Sequence, residues 1–470
     1  MLGPERRCGV EEKKEFEEIQ ETVLELLEEK KYTAARNELL LLNAADIAEV
    51  MTEVIDEISL DAAIIAFRML PKDISVDVFS YMSTEDQVEI INGITDREIN
   101  YIIDELDFDD KIDVLEELPA NLVDKILEKT PRHERKQINT FLNYPENCAG
   151  ALMTPDYISL RRDMTVRQAM DYIKKVGMDR ETIYTCYIKD EGRKLQGIVS
   201  LRTLVISDDD MHLSEIIRED VVSVNVYEDQ EEVSEMFQRY GFLAIPVVDN
   251  EDRIVGIVTM DDIFEVIEEE TTEDIERMAG VVDSTTTEYL DTPVSQQVKS
   301  RLPWLFFLML SYIATGAIIS HFEMGLQAVI CLVAYMPMLM GTGGNSGSQS
   351  ATLIIRSIGV GDLDVQDFLR VLWKEFRVSA IIGICLSLFT FFRVFFEQRN
   401  DPDHFAIALT VSFAMLLIVV IAKCIGGMLP LLAKKIGIDP ALMASPMIAS
   451  MTDMVSVTTY FTLATIILGI

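Results

Sequence analysis

The 470-residue sequence predicts a multidomain membrane protein, with an all-α helical-repeat domain, an α/β pair, a connecting helix and a five-helix α transmembrane domain in that order. Three observations carry this reading. Bilayer-length apolar runs, which need about 20 residues of helix, occur only after Pro303. From Arg301 on, ten Lys and Arg stand against ten Asp and Glu, so the net charge of −38 falls wholly on residues 1–300. Those first 300 residues contain two kinds of internal repeat, so they hold more than one domain. The expected boundaries are 16–143, 144–267, 268–300 and 301–470.

Residues 16–143 read as short amphipathic helices. LPKDISVDVF, ITDREINYII and LPANLVDKIL begin 24 residues apart, and MSTEDQVEII and LDFDDKIDVL share that period. Two short helices stacked on their neighbours are the simplest unit of such a length. They expose a long acidic face, which repels nucleic acid and attracts cations. A merely well-solvated surface is the plainer reading of that charge.

Pro145, Gly150 and Pro155 in YPENCAGALMTP break helix and mark a boundary. Residues 153–267 then repeat one order of strand, turn, strand and helix start, with Gly197-Ile-Val-Ser200 and Gly256-Ile-Val-Thr259 in register. This resembles a pair of CBS domains, modules that pair through their sheets and often bind adenine nucleotides. The resemblance implies a ribose site at Thr259 and Asp262, whereas the first copy has Ser200 followed by Thr203 in place of the acid. Beyond the pair, FEVIEEETTEDIERMAGV continues as an acidic helix towards the membrane.

Hydrophobic segments are expected at 303–320, 326–345, 376–396, 405–429 and 444–470. Lys299, Arg301, Arg356, Arg370, Lys374, Arg377, Lys434 and Lys435 flank one side, with Arg393 and Arg399 on the other. The positive-inside rule puts the former side and the N-terminus in the cytoplasm, and the C-terminus outside the plasma (cell inner) membrane. Six cysteines without C-x-x-C spacing point to a reducing compartment, and the charged N-terminus has no signal-peptide core. Four histidines, no P-loop and no nucleophile motif argue against an enzyme.

Asp453 is the only charge between Ala441 and Ile470. An acid at that depth costs several kcal/mol unless met by a cation, a protein partner or water. One reading is an ion pair with Lys423; the other is a cation pathway. Upstream, GTGGNSGSQS places glycines and hydroxyls at membrane depth, either for close helix packing or to line a cavity.

Taken together, the acidic helical domain, the YPE-AG-MTP linker, the CBS pair, GTGGN followed by QSATLIIR, and the DPA segment leading to Asp453 resemble the MgtE-type magnesium channel/transporter family over nearly the whole chain. The resemblance implies a homodimer in the lipid bilayer, with Asp453 binding hydrated Mg2+ in a pore to which Asn345, Asp439 and Ser445 contribute. It also implies cytoplasmic Mg2+ bridging acidic faces to close the pore. Candidates for that sensor are Asp109, Asp110, Asp262, Glu265, Glu270, Glu273 and Asp274. Mg2+ is the expected ion and ATP the expected nucleotide. Ser445, Ser348 and Gly241 depart from residues common in the family. The competing reading is an adenine-nucleotide-sensing regulatory membrane protein that its apolar part only anchors.

Overall fold

The first helices are set by what precedes them. Ser59, Pro71, Ser83, Thr95, Asp107, Pro119 and Pro131 each stand as N-cap, one every twelve residues, so the 24-residue sequence period is two one-helix steps. Ser59 and Ser83 accept a backbone N–H of the first turn, and Thr95 with Glu98 forms a capping box. Buried Leu70, Met82, Ile94, Leu106 and Leu118 stand one residue before a cap, so each helix entry is pinned to the core.

In the computed structural model, residues 4–281, 289, 292–322, 330–443 and 445–469 are described. They form two compact bodies, Met1–Val266 and Ile267–Ile470. The first opens with ten helices: α1 Pro4–Glu28, α2 Tyr32–Leu39, α3 Ala44–Glu57, α4 Leu60–Met69, α5 Lys72–Ser80, α6 Thr84–Gly93, α7 Asp96–Glu105, α8 Phe108–Glu117, α9 Ala120–Lys129 and α10 Arg132–Phe141. α1 packs chiefly on α2 and α3 on α4, and further along the packing partner is the helix two steps on, as for α4 on α6 and α6 on α8.

Two similar α/β units follow. The first comprises α11 Ala149–Leu152, β1 Tyr157–Leu160, α12 Val166–Val176, β2 Thr182–Lys189, β3 Leu195–Ser200, α13 Leu201–Ile206 and α14 Leu213–Ile216. The second comprises β4 Val224–Asn225, α15 Gln230–Tyr240, β5 Ala244–Val248, β6 Ile254–Thr259 and α16 Met260–Ala279. Both sheets have one parallel and one antiparallel pairing in sequence order. Their faces share a core of Tyr157, Tyr187, Ala244, Ile254 and Ile257.

The registered glycines now have a reason. A Cβ on Gly197 would lie 2.7 Å from the Arg218 carbonyl, and one on Gly256 2.8 Å from that of Thr154, so each admits the segment crossing its strand. Gly241 ends α15 in the left-handed region at φ 66°, which glycine adopts without a Cβ penalty.

The second body starts inside α16. Expected as a single connecting helix over 268–300, this stretch is broken: Gly280 at φ 81° receives the end of α16, and Pro293 starts α17 Val294–His321. The N–H of Gly280 and that of Val281 turn back to Arg277 and Glu276, a left-handed stop that only glycine makes at low cost. Then come α18 Met336–Gly359, α19 Phe368–Glu397, α20 His404–Lys435 and α21 Ser445–Leu468.

Among the described residues, four helices are long and apolar enough to span a bilayer: Val294–His321, Val365–Glu397, His404–Lys435 and Pro440–Leu468. The fifth expected segment, 326–345, lies partly outside the described residues. Its described part enters α18, which runs 14 residues further than expected, to Gly359, and is diluted by Gly, Ser, Asn and Gln. GTGGN is therefore helical. α20 is the central helix: its Val411, Met415 and Ile418 bury against Leu339 of α18 and Val457, Tyr460 and Phe461 of α21. α17 and α19 leave Leu310, Ile313, Ile381 and Phe389 exposed, a surface that hydrocarbon covers in a membrane.

Candidate functional site

The glycines of α18 and α20 set the spacing of the inner helices. A Cβ on Gly426 would meet the Gly347 carbonyl oxygen at 2.1 Å, and one on Gly347 would meet Ile448 of α21 at 2.7 Å. Backbone contact between α18 and α20 is thus built in, and close helix packing is one role of the motif. About one turn back, Gly344 lies against Ala449 and Thr452 of α21. Asn345 and Asp453 are the residues next to that contact on their respective helices, and neither is fully buried.

No hydrogen bond or ion pair joins Asp453 to another described residue. Lys423 is not its partner. The lysine is 4 % exposed, and its Nζ donates to Ser350 Oγ at 3.3 Å. Ser350 in turn donates to Glu375 Oε2 at 2.6 Å. The one lysine deep in α20 is thus tied through a hydroxyl to a buried carboxylate of α19. Glu375 escaped sequence reading because its place near the start of a span looks like an interfacial charge.

Asp439 stands at the foot of α21, where its Oδ1 accepts the Ala441 N–H at 2.7 Å and its Oδ2 accepts Arg277 Nη1 at 2.6 Å. Arg277 is also paired with Glu273. The end of α16 is therefore latched to the inner helices within this body, and Met278 packs beside it on Ala351, Ile355 and Ile448. Asp274 is raised above the usual carboxylate range by burial and then by Asp439, and Glu273 by burial. Arg277 had no signal in the sequence, being the single base in an acidic run. The side chain of Ser445 lies outside the described residues.

In the first body, α8 brings Asp109 and Asp110 towards the start of α16 and the residue before β2. The Asp109 carboxyl is pushed up to about 9, first by burial and then by Asp262, Glu181 and Asp110. Burial and the charges of Asp107, Asp262, Glu265 and Asp261 push Asp110 to about 7. Glu181 reaches about 7 by burial and by Asp107, Asp261 and Asp262. Asp262 reaches about 6, burial outweighing the hydrogen bond from Thr259. An acidic seam thus runs from the helical domain to Glu181 of the first α/β unit and Asp262 of the second; Asp107, Glu181 and Asp261 among its members were not picked out in the sequence. Among the described residues, no three His, Cys, Asp or Glu side chains converge on a common metal position.

Thr259 and Asp262, the expected ribose pair, are hydrogen-bonded to each other. Thr259 is 4 % exposed and its hydroxyl donates to Asp262 Oδ2 at 2.7 Å. A cleft of about 600 Å³ opens between Ser200 and Arg202 of the first unit and Phe242, Leu243 and Pro246 of the second, with Tyr184 at its wall.

An acidic soluble body, a CBS pair and a span carrying an unpaired carboxylate define a multi-pass membrane protein of the ion-transporting class. Comparison with known proteins agrees. Residues 336–463 match the MgtE divalent cation transporter family, residues 42–147 the MgtE intracellular N domain, and residues 149–208 and 213–269 the CBS domain. The magnesium transporter MgtE of Thermus thermophilus is 36% identical over 417 residues, covering 88% of this chain and 91% of that protein. That of Bacillus subtilis is 30% identical, covering 88% and 92%. The crystal structure of the cytosolic domain of the Mg2+ channel MgtE in complex with ATP is 33% identical, spans 53% of this chain and 99% of that one, and superposes with a TM-score of 0.49. The chain belongs to the MgtE family of magnesium transporters.

Proposed function

We propose that this protein carries Mg2+ across the plasma membrane through a homodimeric, channel-like pore closed by cytoplasmic Mg2+. The observation that carries the reading is Asp453, a carboxylate within a membrane span with no protein partner among the described residues while the nearest candidate lysine is engaged elsewhere. Mg2+ dehydrates reluctantly and keeps several waters, so two symmetry-related Asp453 carboxylates with nearby hydroxyl and carbonyl oxygens suit it better than a full protein cage. In this reading Asn345 contributes an amide oxygen beside the ion, and Asp439 and Ser445 serve the cytoplasmic mouth.

The sensor is the acidic seam. Asp109, Asp110, Asp262 and Glu265 repel one another when empty, and a hydrated divalent ion between them removes that repulsion and fixes the spacing. Glu270, Glu273 and Asp274 serve the gate on the other stretch of α16, where Arg277 and Asp439 form the latch. We read the chain as non-catalytic, with its N-terminus cytoplasmic and its C-terminus outside.

A regulatory nucleotide fits beside this function. The cleft near Ser200 and Arg202 has the size and mixed apolar and cationic lining of an adenine-nucleotide site. The test of transport is uptake of Mg2+ into proteoliposomes with a trapped reporter dye. Saturable uptake that internal Mg2+ suppresses is expected; uptake equal to that of empty vesicles overturns the assignment in favour of an anchored nucleotide sensor.

A further inference from the structure

The soluble body has a second seam, opposite in sign to the acidic one. A cavity of about 490 Å³ lies between α10 and the first α/β unit. Its charged lining is Lys136, Arg180, Lys189 and Arg193, with His133 beside them and no Asp or Glu, in a chain holding 79 Asp and Glu against 41 Lys and Arg. Arg180 is paired with Asp156 at the rim, but Lys136, Lys189 and Arg193 have no ion-pair partner among the described residues. Lys189 is only half exposed, and its ammonium stands 5.4 Å from the centre of the Tyr157 ring. Burial, and then the Arg193 charge, lower its pKa, so the two cations repel each other across a shared space. Tyr144, Tyr172 and Phe141 supply aromatic walls.

Lys189, partly buried beside apolar surface, loses hydration there without a counter-ion, and the exposed Lys136 and Arg193 at the same cavity add like charge to it, an arrangement that an anion rather than stability accounts for. We propose that this cavity is a binding site for a phosphate-bearing anion of small-metabolite size, one that needs at least two negative charges. The ligand would neutralise Lys189 and Arg193 from the α/β unit and Lys136 from α10. It would thereby join the helical domain to the first α/β unit, as a cation joins it to the second across the acidic seam. The site is separate from the cleft at Ser200 and Arg202, with which it shares no lining residue.

The probe is inorganic pyrophosphate, which has charge but no ring to enter the apolar cleft. It is titrated calorimetrically into the full-length protein in detergent without Mg2+. Saturable binding is expected, weakened about tenfold or more in Lys189→Gln/Arg193→Gln, weakened less in Lys136→Gln and unchanged in Arg202→Gln. Arg193 lies on an exposed turn, so Arg193→Gln alone serves as the variant that keeps the fold. Absence of saturable binding, equal binding by the Arg193→Gln and wild-type proteins, or loss only in Arg202→Gln overturns the proposal.

Discussion

Asp453 and Lys423 show how two charges in neighbouring spans come to have different fates. Each lies in an apolar helix, but Lys423 faces the hydroxyl of Ser350 and through it the carboxylate of Glu375, whereas Asp453 meets no such group among the described residues. Removing one member of a buried charge network strands the other, at a cost of about 3–5 kcal/mol. Lys423→Met is therefore expected to lower the melting temperature in detergent markedly, and Lys423→Met/Glu375→Gln to recover part of the loss. Equal stability of Lys423→Met and wild type would show that the network is not structural. Asp453 was legible in the sequence because one acid stood alone in thirty residues. Its lack of a lysine partner was not legible, since helix rotation decides which residue faces which, and hydropathy does not encode rotation.

The element scale is governed by glycine. α18 and α20 touch through Gly347 and Gly426, so Gly426→Ala forces backbone apart and should cost about 1–3 kcal/mol. Gly359→Ala, where a Cβ meets nothing, should be nearly silent in the same melting assay. The motif GTGGN announced tight approach, but its helical state was not readable: glycine disfavours helix locally, and neighbouring helices override that preference. The same limit hid the break of the connecting helix, since one glycine in an acidic amphipathic run marks a stop only when its backbone turns left-handed. By contrast the helical repeat was legible from its 24-residue period, although the twelve-residue step of single capped helices within it was not. At α16, a Glu270/Glu273/Asp274 triple alanine variant is expected to stay open at high internal Mg2+, because a bridging ion holds surfaces at a fixed distance whereas loss of repulsion merely permits contact. Full inhibition of that variant by Mg2+, with full protease protection of residues 1–300, would show that these acids do not serve the gate.

For the whole molecule, the separation of an acidic part from a neutral apolar part was written in the charge counts. The seam that concentrates the charge was only half legible, because Asp109 and Asp110 announce themselves as a pair while Glu181 joins them through folding. Its titration has a definite sign. The carboxyls of Asp262, Glu181, Asp110 and Asp109 all titrate above their unfolded values, at about 6, 7, 7 and 9. Their protonated forms suit the folded state, so stability without divalent ions is full below the ordinary carboxylate range and is lost as pH rises through about 6 to 9. Mg2+ should displace protons, bind more tightly as pH rises and abolish the alkaline loss in melting temperature. A melting temperature that is flat across this range, with or without Mg2+, would remove the seam from the sensor. The transport claim itself rests on Asp453, and Mg2+ uptake by Asp453→Asn proteoliposomes tests it most directly. The account predicts a folded, dimeric variant with uptake reduced by about tenfold or more, since the amide keeps shape and loses charge. Uptake equal to that of the wild-type protein would contradict it.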